Sequence, residues 1–306
     1  MTTTARTAPV SAPRPVITRG HRNLLVVTAA LATVLVSLGG IVCATDSSAA
    51  CPDWPGCFGR VIPPANINAI LEYTHRFFAG LTGLLILASA WVSYRRTRSV
   101  RAISWTTAAA ILFTIAVALF GRAAVLTGLP RHLAVLDLGS ALLVLTLLTV
   151  AAVVGWARHQ DQGQPAARLA PRSQLATFGL GASISLYTLY VTGILASGPG
   201  SLTRCVGWPM LGIIPTDVGG GLQIVRLVLA GLAAALIVAT AVAARRAHPR
   251  VAVALPALLV VEIALGLVIF RAGPTLALDM LYVTLATILY ALLVALTVHA
   301  YLRPAR

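Results

Sequence analysis

Charge is scarce in this 306-residue sequence: 10% of residues are Asp, Glu, Lys or Arg, against about 25% in soluble domains. Lysine is missing altogether, so all 23 basic residues are arginine, and only eight residues are acidic. Hydrophobic residues make up 58% of the chain and the mean hydropathy is +0.89. A soluble fold could not hide this much apolar surface, so lipid must be the solvent for most of it. The imbalance of sign leaves a formal charge of +15 and a pI near 11.2. That would suit a nucleic acid, but the arginines sit mostly in short runs between apolar stretches, as the positive-inside rule requires. No nucleic-acid partner is expected. Cysteine is sparse too, at four residues. With no second pair or nearby histidine beside Cys51 and Cys57, a thiolate metal site is not built.

Residues 1–20 are rich in Thr, Pro, Ala and Arg without apolar period, and read as a disordered cytoplasmic tail. Apolar stretches follow at 24–44, 69–94, 104–125, 133–156, 175–196, 218–243, 251–270 and 277–302. Each has about the 17–25 residues that a bilayer core demands. The first is long for a signal-peptide core and lies far from the N-terminus, so it reads as a retained span. Sixteen of the 23 arginines fall before span 1, after span 8, or between spans 2 and 3, 4 and 5, and 6 and 7. The opposite loops hold Asp46, Asp53 and Asp217. Both termini are therefore expected in the cytoplasm, with the 45–68 and 197–217 loops outside.

The chain also repeats itself. Cys51-Pro52-Asp53-Trp54-Pro55 follows span 1, and Cys205-Val206-Gly207-Trp208-Pro209 follows span 5. Arg76 enters span 2 as Arg226 enters span 6, and Phe120-Gly121-Arg122-Ala123 ends span 3 much as Phe270-Arg271-Ala272 ends span 7. The expected fold is all-α: eight transmembrane helices as two pseudo-symmetric four-helix bundles, 21–157 and 175–306, joined by a cytoplasmic linker, 158–174.

Cys51 and Cys57 bracket a short segment on the oxidising side, where a disulfide is expected, either as a structural staple or as a labile redox-active pair. Cys205 has no partner in its own loop, and Cys43 lies at the end of a span. Glu72 and His75, at i and i+3, share one helix face. His75 falls roughly 10 Å below the outer start of span 2, and Asp137 about 7 Å below the outer end of span 4, where that span begins. Ionisable groups at such depth mark a functional site by default. Asp137 either pairs with Arg76 or Arg122 or faces a cofactor. His132 lies nearer the surface, and Glu262 lies inside span 7, where a carboxylate must be protonated, paired or hydrated. His21, His159, His248 and His299 fall at the cytoplasmic edge, where no specific role is expected.

These residues carry a resemblance. Cys51-Pro-Asp-Trp-Pro-Gly-Cys57, the element Glu72-Tyr-Thr-His75-Arg76 and the duplicated eight-helix layout resemble the heme A synthase family. The resemblance implies a cell-membrane oxidoreductase that converts the C8 methyl of heme O to a formyl group for cytochrome oxidase assembly. It implies heme O as substrate, heme O synthase as a partner, and heme held by histidines on the second and fourth helices of each half. Carried over, His75 is an axial ligand of heme iron, Glu72 is catalytic, and Cys51 and Cys57 take part in redox transfer. Asp137 and His132 are further cofactor-binding candidates.

Three expected histidines are missing. Asp137, Val225 and Tyr282 stand at or near those positions. Carboxylate is a poor axial ligand and Tyr an uncommon one, so a permanent heme b with two histidine ligands is not expected in the second half. The alternative reading is a non-catalytic heme-binding assembly factor or a permease-type subunit.

Overall fold

The computed structural model describes residues 17–128, 130–160, 173–196, 205–208 and 220–302. It is all-helical: α1 (Arg19–Ala44), α2 (Ile67–Arg96), α3 (Arg101–Leu126), α4 (Arg131–Gln160), α5 (Gln174–Ala196), α6 (Gly220–Ala244), α7 (Pro249–Ala272) and α8 (Leu276–Leu302). All eight are long and apolar enough to cross a membrane, and the protein is a polytopic membrane protein. Helices are the economical answer, because an unpaired backbone N–H or C=O in hydrocarbon costs several kcal/mol. Side-chain hydroxyls are satisfied in the same local way. Thr28, Thr107, Thr149, Thr240 and Thr287 each donate to the carbonyl four residues back.

Helix ends follow recognisable chemistry. Thr18 caps α1, its hydroxyl accepting from the His21 N–H at 3.3 Å. The helix therefore starts two residues inside the segment expected as tail. Asn66 caps α2, its side chain accepting from the N–H groups of Asn68 and Ala69 at 2.9 and 3.4 Å. Pro249 opens α7, and Gly273, at φ 87°, ends it just before Pro274.

α1 packs on α2 and α4, and α3 on α2 and α4. α5 likewise packs on α6 and α8, and α7 on α6 and α8. Between these two groups, α8 meets both α1 and α4, and α4 meets α5. Small residues allow the close approach. A Cβ on Gly40 would collide with Val283 of α8, and one on Gly139 would stand 3.1 Å from the Tyr187 hydroxyl of α5. Two polar ties cross the same boundary: Tyr187 donates to the Gly139 carbonyl at 3.2 Å, and the Tyr290 and Thr146 hydroxyls meet at 2.7 Å. The flanking helices turn apolar residues outward at helical spacing, as in Leu112, Ile115 and Leu119 of α3 and Ile224, Val228 and Leu232 of α6.

At the arginine-rich end the edge histidines do have work, contrary to expectation. His21 is buried and shares a 3.2 Å hydrogen bond with the Ser93 hydroxyl of α2. The Nδ1 of His159 meets the Ile17 carbonyl at 2.7 Å, and the rings of His248 and His299 pack edge to face. Each ties one helix end to another segment.

Candidate functional site

The loop between α1 and α2 is built inward from its turn. Phe58 and Gly59 both have positive φ, 56° and 64°, and the Arg60 N–H donates to the Cys57 carbonyl at 3.2 Å. This is a mirror-image β-turn, in which glycine is free to adopt the left-handed conformation and phenylalanine is strained. Asp53 holds the turn: its two carboxylate oxygens accept from the Phe58 and Gly59 N–H groups at 2.5 and 2.6 Å. Those donors, Gly59 first, with Arg76 adding attraction, keep the Asp53 carboxyl below its ordinary value.

Cys51 and Cys57 are bonded to each other, with Cα atoms 4.7 Å apart. Both are wholly buried, packed with Ala69 and against Ala50 and Tyr73. An incoming thiolate would have no path to either sulfur unless the loop opened, which favours a staple over an exposed, labile pair.

Glu72 and Arg76 join that loop to α2. Cys51 N–H donates to one oxygen of Glu72 at 2.7 Å, and Arg76 donates to the other at 2.5 Å. The rest of the Arg76 guanidinium is spread over the loop: Nη1 donates to the Asp53 and Gly56 carbonyls, both at 2.5 Å, and Nη2 to the Cys51 carbonyl at 3.2 Å. Four acceptors take four of the five N–H groups of this cation.

One turn further on, His75 leans on α1. A Cβ at Gly39 would stand 3.1 Å from its Cε1. Its buried Nδ1 makes no hydrogen bond of normal geometry. Asp137 leans the other way, onto α3, where its Oδ1 lies against Gly121 and is also buried without a partner. Arg76 is engaged by the loop and Glu72 instead of by Asp137. His132 is exposed in the first turn of α4. The structure thus gathers Cys51, Cys57, Glu72 and Arg76 into one unit, while His75 and Asp137 turn to different neighbours and His132 stays at the surface.

The corresponding region of the α5–α8 group is filled differently. Tyr282 is buried, accepts from the Trp208 N–H at 2.8 Å and donates to the Trp208 carbonyl at 3.1 Å. Val225 is 52% exposed, so the position where the resemblance leads one to expect a ligand faces outward, and Arg226, at 1%, faces inward. Glu262 is fully buried in α7, facing the Trp208 side chain without a hydrogen bond of normal geometry. Cys205 is bonded to Cys43, 162 residues away, with Cα atoms 5.7 Å apart. The sequence hinted at this pair only through an even cysteine count and two cysteines left at the same side of the membrane.

Comparison with known proteins points to relatives of one kind. The family model described as cytochrome oxidase assembly protein matches residues 22–71, which run from α1 through the cysteine loop into α2. A heme A synthase from an Exiguobacterium species (strain ATCC BAA-1283 / AT1b) is 28% identical over 291 residues, covering 92% of this chain and 93% of its own. The chain is similar to heme A synthases over nearly its whole length. A heme A synthase of Bacillus licheniformis is 27% identical over 229 residues, covering 73% of this chain and 75% of its own. That of Alkalihalophilus pseudofirmus reaches 34% over 143 residues, 44% of this chain and 47% of its own. Cys51 and Cys57 lie in the segment matched by the family model, while Glu72, His75 and Arg76 fall just beyond it.

Proposed function

We propose that this chain is a heme A synthase: it oxidises the C8 methyl of heme O to a formyl group and so supplies heme A for cytochrome oxidase assembly. The relatives named heme A synthase support the activity. The observation that carries it to residues is His75, a half-buried imidazole whose buried Nδ1 makes no hydrogen bond of normal geometry, one helical turn from a carboxylate wired to a disulfide loop. A porphyrin iron suits such a ring, because a buried nitrogen without a well-formed hydrogen bond is open to a metal.

Bound iron would supply the redox chemistry. The chain's own groups do the rest. His75 would hold the iron, and Gly39 leaves its ring room. Glu72, one turn away on α2, would accept a proton released at the methyl carbon. Arg76 holds that carboxylate in place and balances its charge. Cys51 and Cys57 fix the loop that donates to Glu72. α1 packs on the His75 ring and the loop covers Glu72. A porphyrin with an isoprenoid tail reaches the site from lipid, with heme O synthase as its source. The protein sits in the cell membrane with both termini in the cytoplasm, a reading supported by the arginine distribution.

A second reading, a non-catalytic heme-binding assembly factor, is favoured by the Tyr282–Trp208 packing where the second half would need histidines. Expression beside a heme O source, with chromatography of extracted hemes, separates the two. Heme A is expected from the unmutated chain. Glu72→Gln keeps an acceptor for the Cys51 N–H but no longer takes a proton, and should lower conversion about 10²–10⁴-fold while sparing bound heme. No heme A from the unmutated chain, in a host where another synthase makes it, would establish the assembly-factor reading instead.

A further inference from the structure

We propose that the cleft between the α1–α2 and α7–α8 helix ends binds a membrane quinone, the electron acceptor of the oxidation; this rests on the function proposed above. The cleft holds about 410 Å³, within the usual range of small-molecule sites. Its bed is apolar, formed by Ile67 and Leu71 of α2, Ile269 of α7 and Leu276 of α8. One polar group is out of place on that bed. Asp279, in the first turn of α8, is 5% exposed, and its buried Oδ1 has no hydrogen-bond partner. A desolvated carboxylate oxygen is costly unless something donates to it. Asn68, Thr275 and Asp46 add polar atoms around the same cleft.

The occupant is therefore flat or slender, largely apolar, and carries an O–H donor. A quinol on an isoprenoid tail has that chemistry, and its oxidised form can accept a hydrogen bond from the same carboxyl once protonated. The cleft lies at helix ends, where a ring carried in lipid can enter sideways. A divalent cation would find carboxylates here, but it has no use for the apolar bed.

The reaction needs such an acceptor. With water as the oxygen source, R–CH3 + H2O + 2 Q → R–CHO + 2 QH2, where the methyl carbon loses four electrons and two quinones each take two electrons and two protons. Position suits the task. Leu71 of the cleft immediately precedes Glu72 and lies four residues, about 6 Å of helix rise, from His75. Asp279 accepts or returns the proton that accompanies each quinone redox change.

The test is photolabelling of the full-length protein in lipid nanodiscs with a short-tailed azido-naphthoquinone, mapped by peptide mass spectrometry. Labels are expected in Ile67–Leu71 and Leu276–Asp279, with protection by excess unlabelled naphthoquinone. Leu276→Trp, which fills the cleft, and Asp279→Asn should each cut labelling at least tenfold, with the heme spectrum unchanged as the measure of folding. Labels elsewhere, or equal labelling in both variants, overturn the proposal. So does protection by heme O but not by naphthoquinone, which would assign the cleft to the substrate's own tail. Saturable calcium binding lost in Asp279→Asn, with no quinone effect, would make it a cation site. The two readings fail separately. Heme A formed with no label in the cleft removes the acceptor site alone; a labelled cleft with no heme A removes the synthase reading and leaves a quinone site.

Discussion

At the scale of single residues, the site depends on what is left out as much as on what is present. Gly39 has no side chain, and the His75 ring occupies the space beside it. Gly39→Ala would force the ring to move by a few tenths of an ångström. Retention of heme should then weaken about tenfold, the size of loss seen when support for a metal ligand is disturbed. His75→Ala should remove the heme altogether. Absorbance and heme-to-protein ratio of the purified variants check both, and a Gly39→Ala protein with unaltered heme would place the ring elsewhere. The motif around His75 was legible in the sequence because Glu, His and Arg in five residues of an apolar span are costly without a use. The partners were not. Nothing in the spacing said that Arg76 would turn to the Asp53, Gly56 and Cys51 carbonyls instead of Asp137, since carbonyl positions depend on how the loop folds back.

At the scale of elements, the cysteine loop is a unit anchored at both ends, by Asp53 on its turn and by Arg76 and Glu72 on α2. The lowered Asp53 pKa fixes the sign of its pH response. Anchoring is full above the ordinary aspartate value, about 3.9, and is lost as pH falls through the lowered one. Amide exchange at Phe58 and Gly59 should therefore lose its protection only in strong acid, whereas Asp53→Asn should weaken it at neutral pH. Protection in Asp53→Asn equal to that of the unmutated chain would remove the carboxylate from this role. The helices were the most legible feature. Hydropathy alone located each of the eight to within a few residues at either end, because few soluble or loop segments can imitate such a run. Their facing was less so. Val225 and Arg226 are neighbours in an unbroken apolar helix, and only packing shows that the arginine turns inward and the valine outward.

At the scale of the whole molecule, the proposed orientation across the membrane rests on the arginine distribution. An impermeant thiol reagent applied to intact cells should label cysteines introduced in the 61–65 segment and leave those introduced in the 95–101 loop untouched. The reverse pattern would invert the topology. The Cys43–Cys205 bond ties the α1–α4 group to the α5–α8 group across 162 residues. A structural disulfide typically contributes 2–4 kcal/mol in soluble proteins, and less is expected where the bilayer already restrains the helices. Cys43→Ser should lower the thermal midpoint of the solubilised protein while leaving the Cys51–Cys57 peptide oxidised by mass spectrometry. An unchanged midpoint would mean that helix packing at Gly40 and Gly139 suffices to join the two groups.

That bond also imposes an order on biogenesis. Cys51 and Cys57 emerge together and can close as soon as their loop crosses the membrane. Cys43 lies only eight residues before Cys51 but must wait, unpaired, until α5 is inserted and Cys205 arrives. During that interval the nascent chain carries three thiols within fifteen residues, two of which belong together. Closure of the short loop first leaves Cys43 only Cys205 to pair with.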